Sequence, residues 1–233
     1  MEIFPFFYFK KICRDEKYMK KNPFKWPIST FCGVGVIFFE MTFIFAAFLL
    51  WPSSSGTFSI FTNYYSELGV SAPGYNSFLG ARFFNMSQGI QGTFIIMFFG
   101  GLHVFIKDDD KSSTKLTLGQ IFGIITGISW VLVGVYSGEL GLWHTLVATI
   151  YFLAFIPAMI LISIEIIKNS EYNNKIGYYG LIAALIDILF VLLIGWIDDE
   201  TFLPFILFME FAMVWSSELW VLLIALNVLK LEE

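Results

Sequence analysis

The sequence predicts an all-α, polytopic integral membrane protein built as a six-helix bundle with both termini cytoplasmic. Three features lead there. The 233 residues are 57% hydrophobic and only 14% charged, with a mean hydropathy of +0.74, whereas soluble domains are roughly 25% charged. Six apolar runs, 28–51, 83–106, 117–136, 143–167, 176–197 and 203–229, each approach the roughly 20 residues that cross a hydrocarbon core. Lysine and arginine are divided one-sidedly among the segments joining these runs: seven before the first, then one, three, none, two and none, and one after the last. Cytoplasmic segments retain Lys and Arg, so thirteen on alternate segments against one on the rest gives six crossings with both ends inside. The expected location is the cell membrane.

The helices form one domain, 28–229, followed by a short cytoplasmic tail, 230–233. Before them, 1–27 combines Ile3, Phe4, Phe6, Phe7, Phe9 and Ile12 with Lys10, Lys11, Lys17, Lys20, Lys21 and Lys25. Aromatic insertion and attraction to anionic lipid would hold such a segment on the inner surface; a basic tail that only enforces orientation reads equally well. It lacks the apolar length and cleavage site of a signal peptide. Cys13 and Cys32 both fall on the cytoplasmic side, where thiols stay reduced, so no disulfide is expected.

The first helix leads into a long external loop, 52–82, in which Phe58, Phe61, Tyr65 and Leu68 recur at helical spacing. The spacing predicts an amphipathic segment resting on the outer interface, ending at Gly69 and turned back by Pro73-Gly74. In the second helix Asn85, Gln88, Gly89 and Gly92 share a face that should point inward, because amides facing lipid tails have no partners. The loop Lys107-Asp108-Asp109-Asp110-Lys111 reads as a solvated connector without a calcium-loop pattern. Along the third helix Gly119, Gly123, Gly127 and Gly134 form a small-residue stripe, the pattern that brings helix backbones close in lipid. Trp51, Tyr64, Trp143 and Trp196 suit the outer aromatic belt, and Trp26 the inner one.

The acids inside the apolar runs are Glu40, Asp187, Glu210 and Glu218, and no Lys or Arg lies at comparable depth. An ionised carboxylate in hydrocarbon is costly, so each is expected to be neutral, hydrogen-bonded or matched to a cation. Small neighbours Gly180, Ala183 and Ala184 favour a structural role for Asp187, and Glu40 is read the same way. Glu210, nearest the outer surface, is read as functional, with Ser217 and Glu218 continuing its polar stripe. Topology places Ser66, Glu67, Arg82, Asn85, Gln88, Glu139, His144, Asp198, Asp199, Glu200 and Glu210 in the outer half. Asp198 to Glu200 read as loop solvation; the others are candidates for an outer polar, net acidic pocket. Arg82, the lone external cation, is the candidate contact for a phosphate or an external acid.

His103 and His144 lie about 30 Å apart in depth by helix rise, so they cannot share a metal, and no metal or cofactor is expected. No outward basic patch suggests nucleic acid.

Ser66-Glu67-Leu68-Gly69, Asn85, Val133-Gly134-Val135-Tyr136, Glu139, His144-Thr145-Leu146-Val147-Ala148 and Phe152 together resemble the domain-of-unknown-function 998 family of six-helix membrane proteins. That family is in turn distantly similar to Frag/DRAM/Sfk-type membrane proteins linked to lipid handling. The resemblance spans about residues 28–229. It implies the six-helix fold and an outer site comprising Ser66, Asn85, Glu139 and His144, and it implies no reaction. Ser137-Gly138-Glu139 keeps the acid of the family pattern without its Pro.

The leading functional expectation is a multi-pass protein that binds a lipid or small amphiphile in an outer-leaflet polar pocket, rather than an enzyme. The alternative is a proton-coupled transporter using Glu40, Asp187 and Glu210. Further alternatives are an accessory subunit of a membrane complex and an intramembrane lipid hydrolase or transferase with His144 as base and Ser66 or water as nucleophile. Membrane lipids are the expected partners, with a membrane protein partner also open.

Overall fold

The computed structural model describes residues 26–102, 113–196 and 200–231. The basic segment with Cys13, His103, the Lys107–Lys111 loop and the pair Asp198 and Asp199 lie outside the described residues. Within them are six long helices: α1 (Ile28–Leu49), α2 (Phe78–Gly101), α3 (Thr114–Val135), α4 (Leu142–Lys168), α5 (Asn174–Trp196) and α6 (Leu203–Leu231). No strand occurs among the described residues. Every helix except α2 is long and apolar enough to cross a membrane. α2 has the length, at 24 residues, but Ser87, Gln88 and Gln91 on its buried face dilute its apolar character.

Each helix packs on its neighbours in sequence, and α6 returns to α1, which closes the six into a ring. Short connections such as 136–141 favour antiparallel neighbours. The helix ends follow local chemistry. Ser77 caps α2, its hydroxyl accepting the Gly80 N–H at 3.0 Å, which satisfies one of the four amides a helix start leaves unpaired. Pro204 occupies the first turn of α6, where its missing N–H costs nothing. Pro157 interrupts the α4 ladder, a defect that neighbouring helices cover in a membrane bundle.

Most described helix ends lie within three residues of the sequence expectation, but α2 begins at Phe78 rather than 83. The Ser77 cap is the reason, and it draws Arg82 into the first turns of the helix. A second correction concerns the long loop, which is not an amphipathic helix at the interface. It contains two short 3-10 turns, Ser53–Ser55 and Tyr65–Gly69, and folds into one end of the ring. The helically spaced residues each find a different partner. Phe58 packs edge-on against Phe48 and Trp51, with ring centroids 4.6 and 4.9 Å apart, and Phe61 stacks on Phe208 at 5.7 Å. Tyr65 and Leu68 are buried inside the bundle. The turn does end at Gly69, and Gly74, at φ 90°, supports the reversal.

The glycine stripe of α3 sets the spacing of α2 and α3. A Cβ on Gly92 would lie 2.5 Å from the Gly127 carbonyl oxygen, and one on Gly127 would lie 2.7 Å from that of Gly92. One on Gly134 would meet the Asn85 carbonyl at 2.5 Å. These obstacles are backbone and cannot swing aside. Gly127→Ala should therefore destabilise the protein by about 1–3 kcal/mol through overpacking. Gly89→Ala, with nothing within 4 Å of the added methyl, should be neutral or stabilising by up to about 1 kcal/mol through helix propensity. Thermal unfolding of both variants in one detergent checks the contrast.

Candidate functional site: a buried carboxyl core and a vestibule at the loop end

The Tyr65–Gly69 turn enters the ring because its polar groups are met there. The Tyr65 N–H donates to the Glu210 carboxyl of α6 at 2.7 Å. Asn76 donates to the Leu68 carbonyl at 2.9 Å, and Asn85 of α2 donates to the Gly69 carbonyl at 3.0 Å. Gly69 has no room for a side chain, since a Cβ would strike Asn85 Oδ1 and the Phe84 ring. Glu67, half-buried, accepts from Asn63 at 2.8 Å. The Tyr64 phenol at the edge of this turn has its pKa pushed up by burial first, then by the nearby Glu210 and Glu67.

Tyr65 carries the turn into the core. Its phenol donates to Glu40 Oε1, and Gln91 of α2 donates to Glu40 Oε2. Trp130 of α3 donates its indole N–H to Gln91 Oε1 at 2.7 Å. Gln88 approaches the Tyr65 hydroxyl at 3.4 Å. A single chain of hydrogen bonds thus joins the loop, α1, α2 and α3, and Glu40 at its centre is fully buried. Tyr151 of α4 stacks on Trp130 with centroids 4.1 Å apart, extending the group to a fourth helix.

Asp187 of α5 and Glu218 of α6 complete the ring of polar residues, and their situation is different. Both are buried, and none of their four carboxyl oxygens has a hydrogen-bond partner among the described residues. Tyr151 lies within electrostatic range of Asp187, Glu218 and Glu40, and Glu218 within range of Glu40. Helix rise puts Glu40 about 18 Å along α1 and Asp187 about 20 Å along α5, near the middle of a roughly 30 Å hydrocarbon core. Among the described residues no three His, Cys, Asp or Glu side chains are placed to hold a metal ion. Trp220 of α6 packs against Phe99 and Phe155 in the interior.

The outer-half residues named from sequence are distributed over three places. Arg82, Asn85 and Glu139 line one cavity of about 120 Å³, together with Ser71, Phe78 and Ser137. Glu210 and Gln88 face the buried turn and the core instead. His144, half-buried, bonds through Nδ1 to the Tyr136 carbonyl at 2.7 Å. A carbonyl only accepts, so Nδ1 carries the hydrogen, and the ring caps the end of α3. It is not hydrogen-bonded to Ser66 or Glu139. Gln91, Trp130 and Tyr151 are not among the site residues expected from the sequence. Gln91 follows Gln88 by three residues on one helical face, a visible signal; the two aromatics look like any others in an apolar helix.

Comparison of the chain with protein-family models, curated proteins and solved structures finds no match to any of them.

The two halves of this site make separable demands. Tyr65→Phe leaves the buried Glu40 carboxyl one partner short and should cost about 1–3 kcal/mol. Glu210→Gln keeps an acceptor for the Tyr65 N–H and should cost clearly less. Thermal unfolding in detergent, with both variants beside the parent, reads the difference.

Proposed function

We propose that the chain is a proton-coupled membrane transporter whose proton sites are Asp187 and Glu218, with Glu40 as their neighbour. One observation carries this reading: two carboxyl groups buried within apolar helices, with every oxygen unpartnered among the described residues. A carboxyl kept for structure would be held by hydrogen bonds, as Glu40 and Glu210 are. Leaving four buried acceptors unmet costs roughly 1–3 kcal/mol each, and intramembrane acids without a bonding role mark ion or proton pathways. The finer topology belongs to the same proposal. All six helices, α2 included, cross the cell membrane, both termini lie in the cytoplasm, and the chain is related to the domain-of-unknown-function 998 family. The support is the one-sided distribution of Lys and Arg and the motifs around Ser66, Asn85, Tyr136 and Glu139.

A second reading is binding of a lipid or small amphiphile at the loop end. The observation favouring it is that Glu139, distant in sequence from Arg82 and Asn85, lines one cavity with them. His144, Gln88 and Glu210 are not part of that cavity.

Proteoliposomes with an internal pH-sensitive dye and an imposed pH gradient, supplied in turn with small amines, amino acids and phosphoesters, test the first reading. Proton movement should accompany one of these solutes and fall at least tenfold in Asp187→Asn. A solute flux indifferent to pH and to Asp187→Asn, or no proton movement with any of them, would sink it.

A further inference from the structure

The loop-end vestibule contains opposite charges that do not neutralise each other. Arg82 and Glu139 line the same cavity, yet they form no ion pair. Each is held by a different contact. The Ser71 N–H donates to Glu139 Oε1 at 2.5 Å, and the Arg82 guanidinium lies over the Phe78 ring, 5.0 Å from its centroid. A flexible arginine and a glutamate on facing segments would gain by closing on one another, and these anchors keep a gap between them instead. The gap has polar walls, lined also by Asn85, Ser71 and Ser137.

We infer that this vestibule binds a compact zwitterion with a phosphate at one end and a primary ammonium at the other, the chemistry of phosphoethanolamine. The inference rests on the second reading above and names its ligand. The guanidinium fork matches phosphate oxygens in a bidentate way. Glu139 Oε2, which the Ser71 N–H does not use, faces the ammonium. Size sets a limit as well. A cavity of about 120 Å³, at roughly 10–15 Å³ for each water-sized position, takes a head group and excludes acyl chains. The mouth offers those chains an apolar surface, because Phe78, which lines the cavity, is exposed. The same head group reaches the site either as part of a membrane lipid or free in solution. The vestibule would bind it whether or not the core moves protons.

Native mass spectrometry of the full chain, released from nanodiscs holding equal parts phosphatidylethanolamine, phosphatidylcholine and phosphatidylglycerol, tests this. The expected result is at least fivefold enrichment of phosphatidylethanolamine, falling to parity in Arg82→Gln and in Glu139→Gln. Glu139→Gln keeps an oxygen for the Ser71 N–H, and Arg82 is exposed, so both variants should melt with the parent. Arg82→Lys, which keeps the charge but loses the fork, should retain part of the enrichment. Soluble phosphoethanolamine distinguishes the sources. Displacement of the lipid shows that the free zwitterion is recognised, and retention of the lipid at millimolar competitor shows that the membrane-anchored form is the ligand. Equal retention of the three lipids, or enrichment unchanged in both variants, overturns the existence of the site. Preference for phosphatidylglycerol overturns the zwitterion while leaving an anion site, and so separates failure of the ligand from failure of the second reading.

Discussion

The hydrogen-bonded chain Tyr65–Glu40–Gln91–Trp130 is the interaction on which the rest of the bundle depends. A carboxyl group at the middle of an apolar ring has no solvent to turn to, so its partners must come from the protein. Glu40 obtains them from two directions. Gln91 belongs to a neighbouring helix, whose approach to α3 is set by glycines at 92 and 127. Tyr65 belongs to the loop, and to reach Glu40 the loop must enter the ring. Once Tyr65 is inside, its own N–H and the carbonyls of Leu68 and Gly69 need partners as well, and Glu210, Asn76 and Asn85 supply them. The position of the long loop follows from one buried acid.

The same rule makes Asp187 and Glu218 stand apart. Single polar atoms of Ser29, Ser163, Trp220 and Asn227 are also buried without a partner among the described residues, but Asp187 and Glu218 are the acids in which both carboxyl oxygens receive nothing. They sit on α5 and α6, within electrostatic range of Tyr151. Retained acids without structural bonds are the groups a proton site requires, because a proton must be able to leave without the helices losing a contact. Glu40, tied to the fold, is the poorer carrier. The vestibule is a separate feature that shares Asn85 with the anchoring of the turn.

How far the sequence reveals this depends on the kind of signal. The helices are legible because length and apolarity are set by the hydrocarbon thickness, and their ends fall close to expectation wherever no cap intervenes. At α2 the Ser77 cap outweighs hydropathy, and the helix starts earlier than its apolar run. The long loop misleads for a different reason. Phe58, Phe61, Tyr65 and Leu68 have helical spacing, but spacing records only which residues avoid water, and separate aromatic contacts satisfy them as well as one helix face would. The acids are visible in sequence as acids. Their division into bonded and unbonded depends on contacts across many residues, such as Glu40 with Gln91 and Glu210 with Tyr65, and no local pattern contains it. The proximity of Arg82 to Glu139 is likewise created by folding.

Whether Asp187 and Glu218 hold protons inside the bundle decides between a proton site and a purely structural pair. Infrared spectroscopy of the reconstituted protein in H2O and D2O at neutral pH reads this directly. The expected result is a carbonyl absorption of protonated carboxylic acid, reduced in Asp187→Asn and reduced further in Asp187→Asn combined with Glu218→Gln. A spectrum with only carboxylate bands, or an acid band unchanged in both variants, would contradict it.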